Sequence, residues 1–558
     1  MKTIHYIFKF FICIIIAELK LIKVNIGYLK FLFLNVNLIK YFFFIFDKNI
    51  NPIKSKGFQV FLNLNKKKWE KLNNHSKNNK SEILVESFLN QQTYAVNNIL
   101  IGKYLEVFTN SKCIGLLRAG DIKGRFMLKS FGIKKFYTYK FGGLYNRIKY
   151  IFKSIKILRN VKNINDLCNF KFNKIDIGLL TYDTWIRYTR TPTSKIIDIK
   201  LILFFAEALF ASDFFSKLII ESKIRKLIQA EKQFIPFSIL FQTSLQKNVE
   251  VYARHGIDKI SVRIYNNFNQ RHNPKNKFSK ELLNSVYKDL RFKAIKSIDI
   301  WFKSQIKNKF YGRSWAPYIQ NKKNVTSSWE KKIDGLENNN KNLNKDTSQI
   351  SNLKEFSKHN LCKNFGWSKN KKIVTVFLPY MIDGVYQNGR KKLFLDNYTW
   401  IIETLKIIKR LKNVNWIIKE HPQETRYNTK SDYKLILMEI SKNNPHIKAC
   451  PKNINPFSLT RFTDIALTCN GSPGLEYQSF GIPAIIAEKS YYSHFGFPNT
   501  PKNIFEYKKL LNKIHLVKNP KKNQIEKAKI ILFVSYILSP VKATFLPDNI
   551  PEFESRMK

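Results

Sequence analysis

Val414-Asn415-Trp416-Ile417-Ile418-Lys419-Glu420-His421-Pro422 and, about fifty residues on, Asp464-Ile465-Ala466-Leu467-Thr468-Cys469-Asn470-Gly471-Ser472-Pro473-Gly474-Leu475-Glu476 decide the reading of the fold. In each, a short apolar run stops at a polar turn, the pattern of a strand buried in a parallel sheet. The second turn leads into a helix expected over 474–480 and closed by Gly481, and Pro483 to Ala487 returns as a strand. Outward from these, Ile373 to Leu378 reads as a strand, Tyr398 to Lys412 as an amphipathic helix, and Tyr433 to Asn443 as a helix with Ser431 at its N-cap. Strands and helices alternating at this spacing predict a doubly wound domain, which takes ligands beyond the carboxyl ends of its strands.

Ile83 to Glu86, Gln92 to Leu105 and Cys113 to Leu117 form a second strand–helix–strand opening. Strands are expected at Phe136–Tyr139, Ile239–Thr243 and Lys259–Ile264, and helices at Asp198–Leu218 and Leu245–His255, the last ended by Gly256. Asn65 to Lys80, mostly Lys and Asn, reads as a connector, and Asn321 to Lys354 as a polar linker or insertion. The expected fold is α/β: two Rossmann-like domains facing across a cleft, preceded by an apolar N-terminal extension. The expected divisions are an extension and connector 1–81, a first Rossmann-like domain 82–320, a linker 321–365, a second Rossmann-like domain 366–515 and a helical tail 516–558.

The chain has 558 residues, and 97 Lys+Arg against 40 Asp+Glu give +57. Such a surface attracts anions, but Lys, Asn, Ile and Phe are abundant together, as in a protein whose codons have drifted toward A and T. No nucleic-acid module is recognisable, so nucleic acid is not an expected partner. The six cysteines show no close pairing, which suggests neither a zinc site nor a disulfide framework and fits a reducing cytoplasm. Ile4 to Ala17 is too short for a span of about 20 residues. With Tyr41 to Phe46 it reads either as an interfacial anchor on the inner face of a membrane or as a helical extension.

Two turns carry the candidate chemistry. His421 can donate to a phosphate oxygen and Lys419 can add charge. In Asn470-Gly471-Ser472-Pro473-Gly474, the glycines allow close backbone approach, and the helix start directs N–H groups at an anion. Glu476 offers two acceptor oxygens to a ribose.

Together these segments resemble the nucleotide-binding half of GT-B glycosyltransferases of capsular and surface polysaccharide synthesis. The resemblance extends to Asp383, to Leu393 through Trp400, to Tyr491 through Phe497, and to Glu506-Tyr507. In the first domain, Gly178, Tyr182, Asp183 and Arg187 resemble a Gly-x-x-x-Tyr-Asp-x-x-x-Arg element of the same group. It departs at Pro379-Tyr380, Asn470 and Ser472, where relatives often carry His, His and Thr.

The resemblance implies a nucleotide-sugar donor held as substrate by His421, the Asn470–Gly474 loop and Glu476, and a glycan or lipid-linked acceptor held by the first domain. No cofactor and no metal are implied, because helix dipoles and basic side chains stabilise the departing diphosphate. Asp183 and Glu86 are the candidate general bases. The alternatives are a polyol-phosphate transferase, a nucleotide-sugar 2-epimerase, and a non-catalytic polysaccharide-assembly protein.

Overall fold

A computed structural model of the chain describes residues 56–542, apart from 73–80, 90–91, 110, 120, 143, 256–258, 308–357, 388, 422–423, 425–428 and 451–454. The apolar runs Ile4–Ala17 and Tyr41–Phe46, most of 321–365, Gly256 and Pro422 therefore lie outside the described residues.

Two compact units emerge. The first holds the residues up to Thr184, Lys195–Lys275 and those from Pro540 on; the second holds Trp185–Ser194 and Asn276–Ser539. In chain order the strands are β1 (Ser81–Ser87), β2 (Ser111–Arg118), β3 (Phe136–Tyr139), β4 (Ile224–Gln229), β5 (Glu250–His255), β6 (Lys259–Tyr265), β7 (Ile373–Phe377), β8 (Asn415–Lys419), β9 (Ile447–Cys450), β10 (Ile465–Thr468), β11 (Ala484–Ile486) and β12 (Val541–Lys542).

The first unit's sheet runs β12-β6-β5-β4-β1-β2-β3. Strands β1 to β5 pair in parallel, and β6 and β12 are antiparallel additions at one edge. Ile83, Leu84 and Val85 are wholly buried, as expected of a strand covered on both faces. The helix Ile199–Glu221 starts where Asp198 accepts a bond from the Leu201 amide at 2.8 Å, and thirteen of its side chains are buried. The first half of the expected connector, 65–72, is instead the end of a helix, Lys56–Leu72, with Phe61, Leu62 and Trp69 buried in this unit's core, and its second half lies outside the described residues. Three apolar side chains spaced on one helical face outweigh its lysines and asparagines.

Two expectations fail together. Ile239–Thr243 lies within a helix, Phe237–Gln246, whose side chains from Phe237 to Leu245 are all buried, while Glu250–His255 is strand β5 rather than the end of a helix. A helix buried all round has no apolar stripe and reads like a central strand. Strand β4 was not expected at all: its Arg225 and Lys226 break the apolar run.

The second sheet, β11-β10-β7-β8-β9, is wholly parallel. The unit begins earlier and ends later than 366–515. The helix Lys280–Lys307, expected with the first domain, puts Val286, Ile298 and Phe302 in one core with Phe457, Leu475 and Ile486. The helix Lys522–Phe533, expected in a separate tail, adds Ile531 and Phe533 to that core. Ion pairs tie the two helices: Arg291 to Glu526 at 2.6 Å and Lys529 to Asp299 at 2.7 Å. Among the described residues, no helix is long and apolar enough to cross a membrane.

Candidate functional site

The second sheet sets up the site by register. Thr468 lies beside Phe377, and Phe377 beside Lys419, so β10, β7 and β8 end in one row. Strands lie about 4.8 Å apart, so the turns carrying Gly471 and His421 start about 10 Å from each other, on either side of the turn after β7. Strand order reverses between β7 and β10, which makes this the switch point where open sheets receive ligands.

The turn after β7 joins the other two. Leu378 donates its amide to the Lys419 carbonyl at 2.9 Å, and the Tyr380 ring stacks on His421 with centroids 5.5 Å apart. Asn397 donates to the Tyr380 carbonyl at 2.7 Å, and the Met381 amide donates to Glu424 at 3.2 Å. Asp383, from the same turn, lies 3.7 Å from Arg187 of the helix Ile177–Thr189. Two candidates nearly two hundred residues apart in sequence thus meet, both partly exposed.

The turn after β10 is held from behind. The Gly471 amide donates to Thr468 Oγ1 at 3.3 Å, Ser490 donates to the Asn470 carbonyl at 2.8 Å, and Tyr492 donates to the Gly471 carbonyl at 2.6 Å. Glycine is required at 474, because a Cβ there would fall 2.2 Å from Tyr492 Oη and 2.9 Å from Ile486. Ser472 stands at the N-cap of the helix Pro473–Ser479 and makes no side-chain cap bond. Beneath the turn, the Lys392 ammonium bonds to Asn397 and lies 3.4 Å from Cys469 Sγ. Glu488 accepts the Leu393 and Phe394 amides at 2.6 and 3.0 Å.

Two candidates are engaged within the protein. Glu476 is 4% exposed, and its Oε1 accepts a bond from Tyr536 at 2.8 Å, in the π-helical turn Val534–Leu538. Lys419 is buried at the end of β8, and burial pushes its pKa down.

The candidate bases belong to the first unit. Glu86 is the next-to-last residue of β1, and its carboxylate accepts the Phe88 amide and, at 3.0 Å, the Ala230 amide, which ties the turns after β1 and β4 together. Burial pushes its pKa up to about 7. Asp183 is wholly buried in the helix Ile177–Thr189. Gly178 in that helix allows a close crossing: a Cβ there would lie 1.7 Å from the Leu167 carbonyl oxygen.

Tyr380, Lys392, Glu488, Ser490, Tyr492 and Tyr536 were not singled out in the sequence. Only Tyr380 and Tyr492 carried a signal, since both lie inside the segments quoted for the family resemblance. The Trp400 and Tyr507 of those segments meet in the core, with Trp400 Nε1 donating to the Tyr507 hydroxyl at 3.1 Å. An open cavity of about 280 Å³, bounded by Thr191, Thr193, Tyr398, Lys430 and Asp432, holds none of the candidates.

No family model matches the chain, and no curated protein matches it. Among solved structures it is similar to the KpsC beta Kdo 2,4 transferase of Thermosulfurimonas dismutans, at 12% identity and a TM-score of 0.33, over 60% of this chain and 88% of that one. It is similar to the UDP-GlcNAc 2-epimerase of Neisseria meningitidis at 11% identity and a TM-score of 0.20, over 82% and 99%. It is also similar to a glycosyltransferase of Rickettsia africae at 9% identity and a TM-score of 0.24, over 86% and 100%.

Proposed function

We propose that the chain is a metal-independent glycosyltransferase that moves a sugar from a nucleotide-sugar donor to a surface glycan or lipid-linked acceptor, working in the cytoplasm, on the inner face of the membrane. One observation carries the reading: Thr468, Phe377 and Lys419 end their strands in a single row, so the turns of Gly471, Asp383 and His421 open on the same edge at a switch point. Backbone amides at a helix start and an imidazole at that spacing suit a diphosphate. Arg187, paired to Asp383, adds a cation that could swing to the departing phosphate. Of the two bases, Glu86 is the better matched, because a group titrating near 7 both takes and releases a proton at neutral pH.

The test is melting of the full chain with CMP-, UDP-, GDP- and CDP-linked sugars. A ligand bound only by the folded state raises the melting temperature, and His421→Ala should abolish most of that rise. Absence of stabilisation by every compound would overturn the reading. Conversion of the stabilising compound to an altered nucleotide sugar without acceptor would make the chain an epimerase instead.

A further inference from the structure

The helix Leu144–Leu158 of the first unit is core on one side: Ile151, Ser154, Ile155 and Leu158 are buried, and Ser154 donates to the Ile202 carbonyl of the helix Ile199–Glu221 at 3.1 Å. On its other side, Tyr145, Lys149, Phe152, Lys156 and Arg159 recur every three or four residues and so share one face, and all five are exposed. Arg159 belongs to that stripe because its amide still bonds to the Ile155 carbonyl at 3.0 Å. Tyr145 is 77% exposed and Phe152 60%. One exposed ring is ordinary; two on a single face, each followed one turn later by a cation, mark a contact surface.

The charge around this face is of one sign. Between Asp121 and Asp166 the chain carries twelve Lys or Arg and no acidic residue. Asp213, from the helix packed alongside, is engaged at the flank by the Tyr150 hydroxyl at 2.7 Å and by Lys153 at 3.9 Å. A polyanion is therefore the complementary partner. Rings at headgroup depth, with Lys and Arg reaching phosphates beside them, let a helix lie flat on an anionic bilayer. Nucleic-acid bases stack on rings set along a groove or a sheet, whereas these rings stand on the outside of one helix.

The face also starts at a telling place. Tyr139 of β3 lies beside Arg118, and Leu117 of β2 beside Ser87, so β1, β2 and β3 end in one row. The helix begins just after β3, which puts the Tyr145 end of the stripe at the edge that carries Glu86, on the order of 10 Å across two strand spacings.

We propose that the outer face of the helix Leu144–Leu158 is a docking surface for an anionic lipid bilayer, with Tyr145 and Phe152 entering the headgroup layer and Lys149, Lys156 and Arg159 meeting lipid phosphates. That this brings a lipid-linked acceptor to the Glu86 edge rests on the glycosyltransferase reading; the contact with lipid does not.

The experiment floats the full chain with vesicles of phosphatidylcholine alone and with about one third phosphatidylglycerol. The chain should bind the anionic vesicles and be released as salt rises. Lys149→Glu with Lys156→Glu and, separately, Tyr145→Ser with Phe152→Ser should each weaken that binding about tenfold or more. Because these side chains are exposed, circular dichroism, melting temperature and stabilisation by nucleotide-linked sugars should match the unaltered chain. If the unaltered chain ignores anionic vesicles, or if either double variant binds them as well as it does, the proposal is wrong. An oligonucleotide of arbitrary sequence is titrated in parallel: if both variants lose its binding and keep the vesicles, the face is a nucleic-acid surface and the proposal is again overturned. If vesicles are held through this face while no nucleotide-linked compound stabilises the chain, the docking surface stands and the glycosyltransferase reading falls.

Discussion

Glu86 joins two turns, and burial raises its pKa to about 7 against the lowering pull of the two amides it accepts. The folded state therefore holds its proton more tightly than the unfolded state, whose value is near 4.5. Its contribution to stability is complete below pH 4.5 and is lost as pH rises through 7. Glu86→Gln cannot ionise, so its stability relative to the unaltered chain should climb between pH 4.5 and 8, by on the order of 3 kcal/mol for a shift of about 2.5 units. Denaturant titrations across that range check the slope, whatever constant penalty the amide adds by facing a backbone N–H. A flat difference would mean that Glu86 titrates as an ordinary carboxylate. In the second unit, Glu424 should behave alike, since burial raises it to about 7 as well. Neither shift was legible in the sequence, because both arise from side chains brought close by the sheet rather than by local spacing.

At the scale of elements, the turn after β10 depends on the absence of a side chain at 474. Gly474→Ala must displace Tyr492 or open the turn, at a cost of about 1–3 kcal/mol in urea unfolding. Because Tyr492 also holds the Gly471 carbonyl, the variant should lose nucleotide-sugar stabilisation beyond what its lower stability explains. Gly481 closes the same helix with φ +81°, and Gly481→Ala should cost about 1 kcal/mol without affecting the turn. This turn and its flanking strands were readable, because apolar strand, glycine turn, short helix and returning strand are all local signals. The helix Phe237–Gln246 was not, since complete burial removes the polar face that marks a helix. The pairing of Arg187 with Asp383 was equally hidden: each residue was noticed, but only the tertiary fold makes them neighbours.

For the whole molecule, the two units share the chain unevenly. The second unit's core depends on the helix Lys522–Phe533, in which Ile531 is wholly buried. Ile531→Ala should cost about 2–5 kcal/mol, read from Trp301, which packs on Phe457 and Tyr536 of the same unit. If the first unit unfolds separately, its own transition should stay in place, so calorimetry should show two endotherms moving apart. From the sequence, two α/β halves were visible, but their limits were not. Residues 280–307 look like the end of the first half until their apolar face is seen packed against Phe457 and Leu475.

Strand β12 lies about 270 residues after β6, with most of the second unit between them, yet it pairs with that strand edge to edge. During synthesis, β6 therefore emerges from the ribosome long before its neighbour exists, leaving a row of unsatisfied amides and carbonyls open to any other nascent chain. At about 5–20 residues per second this interval lasts tens of seconds. Protection by a holding chaperone, or slow expression at low temperature, should then raise the yield of native protein more than any change in the final folding conditions.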